Sequence, residues 1–389
     1  MTRIFSAAKG IQLFLLLPCI VLPVDAGEVD PRPSSVYDTP GSALGVTASG
    51  NYAYVADSYN GLHVFNVRDP SNPQRVGTYD TAGLALGVAV SGQYLYVADF
   101  GAGLQVIDVG NPANPSRIGG YDTSGFAIAV ALSGNYAYVA DDEAGLQVID
   151  ISNPANPQRA GGYDTTGSAQ GVAVLGNYAY VADYHTGLQV IDVSNPANPR
   201  RVGGYDTGGA ALRVAASGNY AYVADGPEGL QVIDVSDPAN PQRVGGYDTS
   251  GHAEGVAVLG NYVYVADWTA GLQVIDVTNP ANPQRVGGNQ APASAHGVFL
   301  TATYAFVAAA QAGLVILTSE PMLALGPVKH MENSVCVSVQ GIPGLRVQID
   351  RSADLVNWQR WTNGLTGNTP LELWDTHRNM RQFYRASVP

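Results

Sequence analysis

Residues 169–206 decide the fold: Ala169-Gln-Gly-Val-Ala-Val-Leu175, Gly176-Asn177, Tyr178-Ala-Tyr-Val-Ala182, Asp183-Tyr-His-Thr-Gly187, Leu188-Gln-Val-Ile-Asp-Val193, Ser194-Asn-Pro-Ala-Asn-Pro199 and Arg200-Arg-Val-Gly-Gly-Tyr-Asp206. Apolar β-branched and aromatic residues alternate within each run, and Gly, Asn, Asp and Pro punctuate between runs. Four strands follow, over Ala169 to Leu175, Tyr178 to Ala182, Leu188 to Val193 and Arg201 to Asp206. Gly176-Asn177 is a tight turn, and the two prolines of Asn-Pro-Ala-Asn-Pro cannot continue a ladder.

The unit recurs. Tyr-Asp begins at Tyr37, Tyr79, Tyr121, Tyr163, Tyr205 and Tyr247, always 42 residues apart. Val-Ala-Asp ends at Asp57, Asp99, Asp141, Asp183, Asp225 and Asp267, and Gly-Leu starts at Gly61, Gly103, Gly145, Gly187, Gly229, Gly271 and Gly313. These are seven copies without insertion, and residues 163–204 differ from 247–288 at only nine of 42 positions. Four antiparallel strands per 42 residues, seven times over, specify an all-β, seven-bladed β-propeller. A β-helix, the competing repeat architecture, has shorter rungs and does not need four turns per copy. The seventh copy stops after its third strand, at Gly313 to Thr318, while Ser35-Val-Tyr-Asp-Thr39 is an orphan fourth strand at the other end. That segment is expected to complete the last blade and leave no open edge. Ala309 replaces the Asp in the last copy, as expected of a capping repeat.

The runs Gly103-Leu-Gln-Val-Ile-Asp-Val109 and Gly187-Leu-Gln-Val-Ile-Asp-Val193 resemble the LVIVD-repeat family of exported bacterial and archaeal proteins, over about residues 34–318. The resemblance implies β-propellers, often on the cell surface, and brings no catalytic residues with it.

Composition agrees with a packed β protein. Gly 46 and Pro 24 supply turns, 46% of residues are hydrophobic, and only 13% are charged, so disorder and collagen are both excluded. Arg3 and Lys9 precede the apolar run Ile11 to Leu22, and Val24-Asp25-Ala26 is a small-x-small cleavage site, so residues 1–26 read as a secretory signal peptide. A membrane anchor is the alternative reading, but the run is short and interrupted by Pro18. A lipoprotein reading of Cys19 is opposed by the Pro before it. Without residues 1–26 only Cys336 remains, so no internal disulfide is expected. Residues 27–321 hold ten Lys/Arg against 26 Asp/Glu, a net −16, and those arginines are dispersed. Nucleic acid and anionic membranes are therefore disfavoured as partners.

From residue 321 the repeat ends. Residues 322–389 carry seven Lys/Arg against five Asp/Glu, and short alternating runs there indicate a small C-terminal β-sandwich, with Trp358, Trp361 and Trp374 read as its core. Ser352 to Trp358 and Gln382 to Ala386 resemble C-terminal β modules of exported bacterial proteins. The expected domains are thus 1–26, 27–320 and 321–389.

Comparison between repeats points to a site. The first-to-second turns and third-to-fourth loops, on one face, are monotonous. The second-to-third tips, on the other face, vary: Ser58-Tyr59-Asn60, Phe100-Gly101-Ala102, Asp142-Glu143-Ala144, Tyr184-His185-Thr186, Gly226-Pro227-Glu228, Trp268-Thr269-Ala270 and Ala310-Gln311-Ala312. Variable loops on a fixed scaffold are where binding resides. The expected ligand site centres on Gln170, Arg213, Glu254 and His296 around the channel mouth, with His252 beside them and Tyr59, Phe100, Tyr184, His185 and Trp268 as rim. The competing reading is neutral drift at exposed turns. The repeated Asp residues are read as turn-capping groups rather than catalytic ones.

No His-Glu-x-x-His, Gly-x-Ser-x-Gly or Walker-type motif occurs, so no catalytic residue, metal or other cofactor is assigned. A zinc site from His252, Glu254 and His296 and a calcium site at Asp142-Glu143 are weaker alternatives. The function expected is a non-catalytic, monomeric, extracytoplasmic binding protein recognising a protein or glycan at the cell surface. A lyase or metal-dependent hydrolase at the channel mouth, and a structural envelope component, are the alternatives.

Overall fold

The computed structural model describes residues 31–290 and 293–318, and beyond them the backbone of strands between 323 and 387. The signal peptide expected at 1–26 lies outside the described residues. Among those described there is no helix, and the repeats form seven four-stranded antiparallel sheets. The innermost strands are Gly45–Ser49, Gly87–Ser91, Ala129–Ser133, Gly171–Leu175, Arg213–Ser217, Gly255–Leu259 and Gly297–Leu300, which number the blades one to seven. Each touches the next, and the seventh touches the first, so the blades close into a ring around a channel.

The fourth blade shows how the residues build each sheet. Tyr178–Ala182 pairs in register with both Gly171–Leu175 and Leu188–Asp192, as the alternation requires. The outer strand Arg200–Tyr205 carries a bulge at Val202, because Gly203 faces Val190 while Arg201 faces Ile191. The bulge lets Arg201 reach back across Gly204, where a Cβ would lie 2.5 Å from its guanidinium, and donate from Nε to Gln189 Oε1 at 2.6 Å.

The core lies between blades rather than within them. Tyr180, Ala182, Leu188 and Val190 pack against the fifth blade, whereas Ala179, Val181, Ile191 and Val193 pack against the third. Seven such clusters occupy the seven junctions, including one that joins Phe65 and Val67 to Phe306, Leu314 and Ile316. The seventh copy is therefore not a cap. It is packed on both sides like the others, because the ring has no end.

Arg32–Tyr37 closes the ring as expected, pairing antiparallel with Leu314–Thr318 from Arg32↔Thr318 to Tyr37↔Leu314. Ser35 Oγ also donates to Pro70 O in the first blade at 2.7 Å. The last blade is thus built from both ends of the repeat region.

The repeated Asp residues bond chiefly to the segment before the blade, although Asp183 Oδ2 also accepts from Thr186 Oγ1 in the turn that follows it. Asp183 Oδ1 accepts from Thr165 Oγ1 at 2.6 Å and its Oδ2 from Gly167 N–H at 3.0 Å, which fastens the connection from the third blade onto the fourth. Thr39 and Gly41 hold Asp57 in the same way, as Thr249 and Gly251 hold Asp267. The copy that has Ala309 instead of Asp also has Ala291 in place of Thr, so both partners are lost together. The Asp that ends the third strand in blades two to six does cap its own loop: Asp108 Oδ1 accepts from Gly110 N–H at 2.8 Å.

Beyond residue 318, Leu323–Leu325, Lys329–Met331, Ser334–Gly341 and Leu371–Asp375 form one sheet and Arg346–Ser352, Gln359–Leu365 and Phe383–Ser387 another. The side chains of the expected β-sandwich, Trp358, Trp361 and Trp374 included, lie outside the described residues.

Two outcomes follow. Deleting residues 31–40 removes the closing strand and Thr39, and should lower the melting temperature by many degrees; an unchanged melting curve would refute closure by that strand. Burial also raises the pKa of Asp99, Asp141, Asp183, Asp225 and Asp267, against the opposing hydrogen bonds to their carboxylates. Asp225, whose Oδ2 lacks a partner, is pushed up to about 6. A folded pKa above the unfolded value means extra protons bound in the folded state, so this contribution is complete below pH about 4 and is lost as pH rises through about 6. The melting temperature should therefore be higher at pH 5 than at pH 7, and a rise from pH 5 to pH 7 would contradict the reading.

Candidate functional site

The tips on the variable face are joined blade to blade by backbone. Tyr184 N–H donates to Ala211 O at 3.1 Å, and Ala211 N–H donates back to Tyr184 O at 3.0 Å. The same isolated bridge links Ser58 to Ala85, Phe100 to Ala127, Asp142 to Ala169, Gly226 to Ala253, Trp268 to Ala295 and, across the closure, Ala310 to Ala43. The first tip residue adopts a positive φ throughout, 46° at Tyr184, 47° at Trp268 and 49° at Phe100. That region costs a side-chain-bearing residue roughly 1 kcal/mol. Gly226 makes the identical bridge without this strain, so the bridge does not call for an aromatic side chain.

At the channel mouth the innermost strands approach closely. A Cβ on Gly171 would lie 2.7 Å from Leu212 O and one on Gly255 2.3 Å from His296 O, which explains why five of these strands open with Gly. The fifth opens with Arg213, whose guanidinium turns onto the ring of carbonyls: Nη1 donates to Gln170 O at 2.6 Å and Leu212 O at 2.9 Å. A cavity of about 190 Å³ is lined by residues of all seven innermost strands, Arg213 and His296 among them. The corresponding positions in the first three blades are apolar, Leu44, Leu86 and Ile128, whereas Gln170, Glu254 and His296 stand in the others beside Leu212. The mouth thus has an apolar half and a polar half.

Glu254 is the hub of the polar half. Its Oε1 lies 3.2 Å from His252 Nδ1 and its Oε2 3.6 Å from His296 Nδ1. Burial pushes the Glu254 carboxyl up, but the hydrogen bond with His296 and the charges of His296, His252 and Arg213 outweigh it and hold the pKa below the usual value. Burial lowers Arg213, with Glu254 opposing. Gln170 Nε2 donates to Ser168 Oγ at 2.7 Å and Asp142 Oδ1 at 3.2 Å. Among the described residues no three His, Cys, Asp or Glu side chains are placed to hold a metal ion, so neither the zinc nor the calcium alternative gains a site.

The structure therefore brings His252, Glu254 and His296 together, with the Trp268 ring edge-on to His252 at 6.2 Å, and joins Gln170 to Arg213. Tyr184 packs on His185 at 4.0 Å between ring centres on its own tip. Tyr59 is 79% exposed and Trp268 45%. Phe100 stacks on Phe126, with centroids 4.2 Å apart and planes 4° from parallel. Sequence reasoning missed Phe126. The signal was present, since the equivalent positions Ser42, Leu84, Ser168, Ala210 and Ser294 carry no aromatic ring.

Comparison with known proteins agrees with this architecture. The LVIVD repeat model matches residues 40–81, 82–123, 124–165, 166–207, 208–249, 250–288 and 292–318. No curated protein matches the chain. Among solved structures, the β-propeller domain of Cps50 (Swd1) from Myceliophteria thermophila is similar at TM-score 0.60 and 12% identity, covering 74% of this chain and 99% of that one. The WD40 β-propeller domain of Doa1 aligns at TM-score 0.60 and 11% identity, covering 75% and 97%. A chain of a mitotic checkpoint complex aligns at 0.62 and 14%, covering 82% and 98%. At such identities the likeness shows the fold alone.

Because Gly226 makes the tip bridge unaided, Tyr184→Gly and Trp268→Gly should each leave the melting temperature within about 3 °C of the parent, relief of strain offsetting the added unfolded-state entropy. A much larger drop would show that the aromatic side chains serve folding.

Proposed function

Because the chain belongs to the LVIVD-repeat family, we propose that it is a non-catalytic binding scaffold working outside the cytoplasm, with the variable face of its propeller turned to a partner protein. The observation that carries this reading is the freedom of side chain at the tips. Phe100, Tyr184 and Trp268 occupy positive-φ positions where Ser58, Gly226 and Ala310 make the same bridge without a ring, so the fold does not account for the rings, and variable side chains on a fixed scaffold are where binding resides. Tyr59, Phe126 and Trp268 give this face three of the five exposed large hydrophobic side chains among the described residues.

Topology supports the same orientation. Arg32–Tyr37 begins, and Leu314–Thr318 ends, on the face of the monotonous loops. The chain therefore enters and leaves the ring on that side. The reading of residues 1–26 as a secretory leader supports export. A protein partner fits better than a glycan, because the tip rings fall on the first, second, fourth and sixth blades with charged and polar groups between them rather than as one continuous platform. Propellers are usually protein-interaction scaffolds, and the similar chain from the mitotic checkpoint complex comes from a protein assembly.

A photo-crosslinker at position 59 should capture a partner that one at position 196, on the other face, does not. Replacing Phe100, Tyr184 and Trp268 together by Ala should abolish that capture. Unimpaired capture would move the site to the opposite face or to residues 321–389.

A further inference from the structure

Between the connection leading into the third blade and the tip of that blade lies a notch of about 340 Å³, lined by Ser124, Gly125, Phe126, Asp142, Glu143 and Ala144. Its walls are chemically distinct. Phe126, 45% exposed, forms one, with one ring face already taken by the parallel Phe100 ring. Two consecutive carboxylates form the other, and this is the only one of the seven tips to carry a pair.

The notch is preformed. Gly125 N–H donates to Asp141 Oδ2 at 2.9 Å, which pins the floor, and Phe100 bridges to Ala127 beside Phe126. Asp142 Oδ1 accepts from Ser168 Oγ and from Gln170 Nε2, so that carboxylate is held in place. Glu143 is exposed and in no ion pair among the described residues. The nearest arginines in sequence, Arg117 and Arg159, are engaged with Gln105 and Gln147.

An aromatic ring and two carboxylates that line one notch without an internal counter-ion exclude anions by charge, and leave a purely apolar guest beside carboxylates it cannot satisfy. A small hard cation would need six to eight oxygen ligands, more than this notch offers. A planar organic cation satisfies both walls, since guanidinium stacks on a ring and donates a fork of hydrogen bonds to carboxylates, which ammonium does less well.

We propose that this notch binds an arginine side chain presented by the partner, a reading that rests on the scaffold function above and names one anchor of the interface. The net −16 of residues 27–321 favours a basic partner segment approaching this face.

The test uses the full chain titrated with Nα-acetyl-arginine methylamide and, as a neutral isostere, Nα-acetyl-citrulline methylamide, followed by NMR. The arginine compound should saturate shifts of the Phe126 and Glu143 signals and bind about tenfold more tightly than the citrulline compound. Glu143→Gln, a change at an exposed side chain that leaves the packing alone, should weaken arginine binding about fivefold, and Phe126→Leu at least as much. Equal binding of the two compounds, or parental affinity in both variants, would overturn the proposal. Partner capture retained by a chain that fails these titrations would overturn the notch alone, whereas arginine binding without partner capture would overturn the scaffold reading and leave the notch as an arginine site.

Discussion

The structure depends on the burial of both faces of the middle strands of every blade. In Tyr178–Ala182 the residues pointing one way pack against the preceding blade and those pointing the other way against the following one. A blade of this kind cannot stand at the end of a stack, because one of its apolar faces would meet water. Closure is the remaining solution, and the chain achieves it by lending Arg32–Tyr37 to the last blade and bridging Ala310 to Ala43. The low proportion of charged residues, 13%, follows from the same demand.

Packing between apolar faces is not directional, and the angle between blades is fixed by polar contacts at their edges. Each buried Asp at the end of a second strand gathers the connection from the preceding blade, while each tip bridges to the following one. Where Asp is lost at Ala309, the Thr partner is lost at Ala291, as expected of a pair in which an unpartnered buried group is costly. Much of the acidity of the propeller is therefore structural, and net charge says less about the partner than the distribution of the remaining carboxylates does.

The variable face is the part of this framework with latitude. Its backbone is held by bridges that constrain φ and not side-chain identity, so each tip accepts Ser, Phe, Asp, Tyr, Gly, Trp or Ala in turn. Comparison between copies found most of the residues concerned, because internal repeats reveal which positions are free. It did not find Phe126, which lies in the connection rather than the tip, nor foresee that Arg213 would turn onto the carbonyls of Gln170 and Leu212.

The sequence by itself determined the number of blades, the four strands of each, and the strand that closes the ring, because a 42-residue period and a two-residue alternation are properties of the chain read along its length. The bulge at Val202, the positive φ of the tips, the true partners of the buried Asp residues and the division of the channel mouth into an apolar and a polar half were decided only in three dimensions. All but the bulge arise where one blade meets the next, between residues distant along the chain. The bulge is set by the pairing register of the outer strand. No local pattern specifies which atoms meet until the blades are packed.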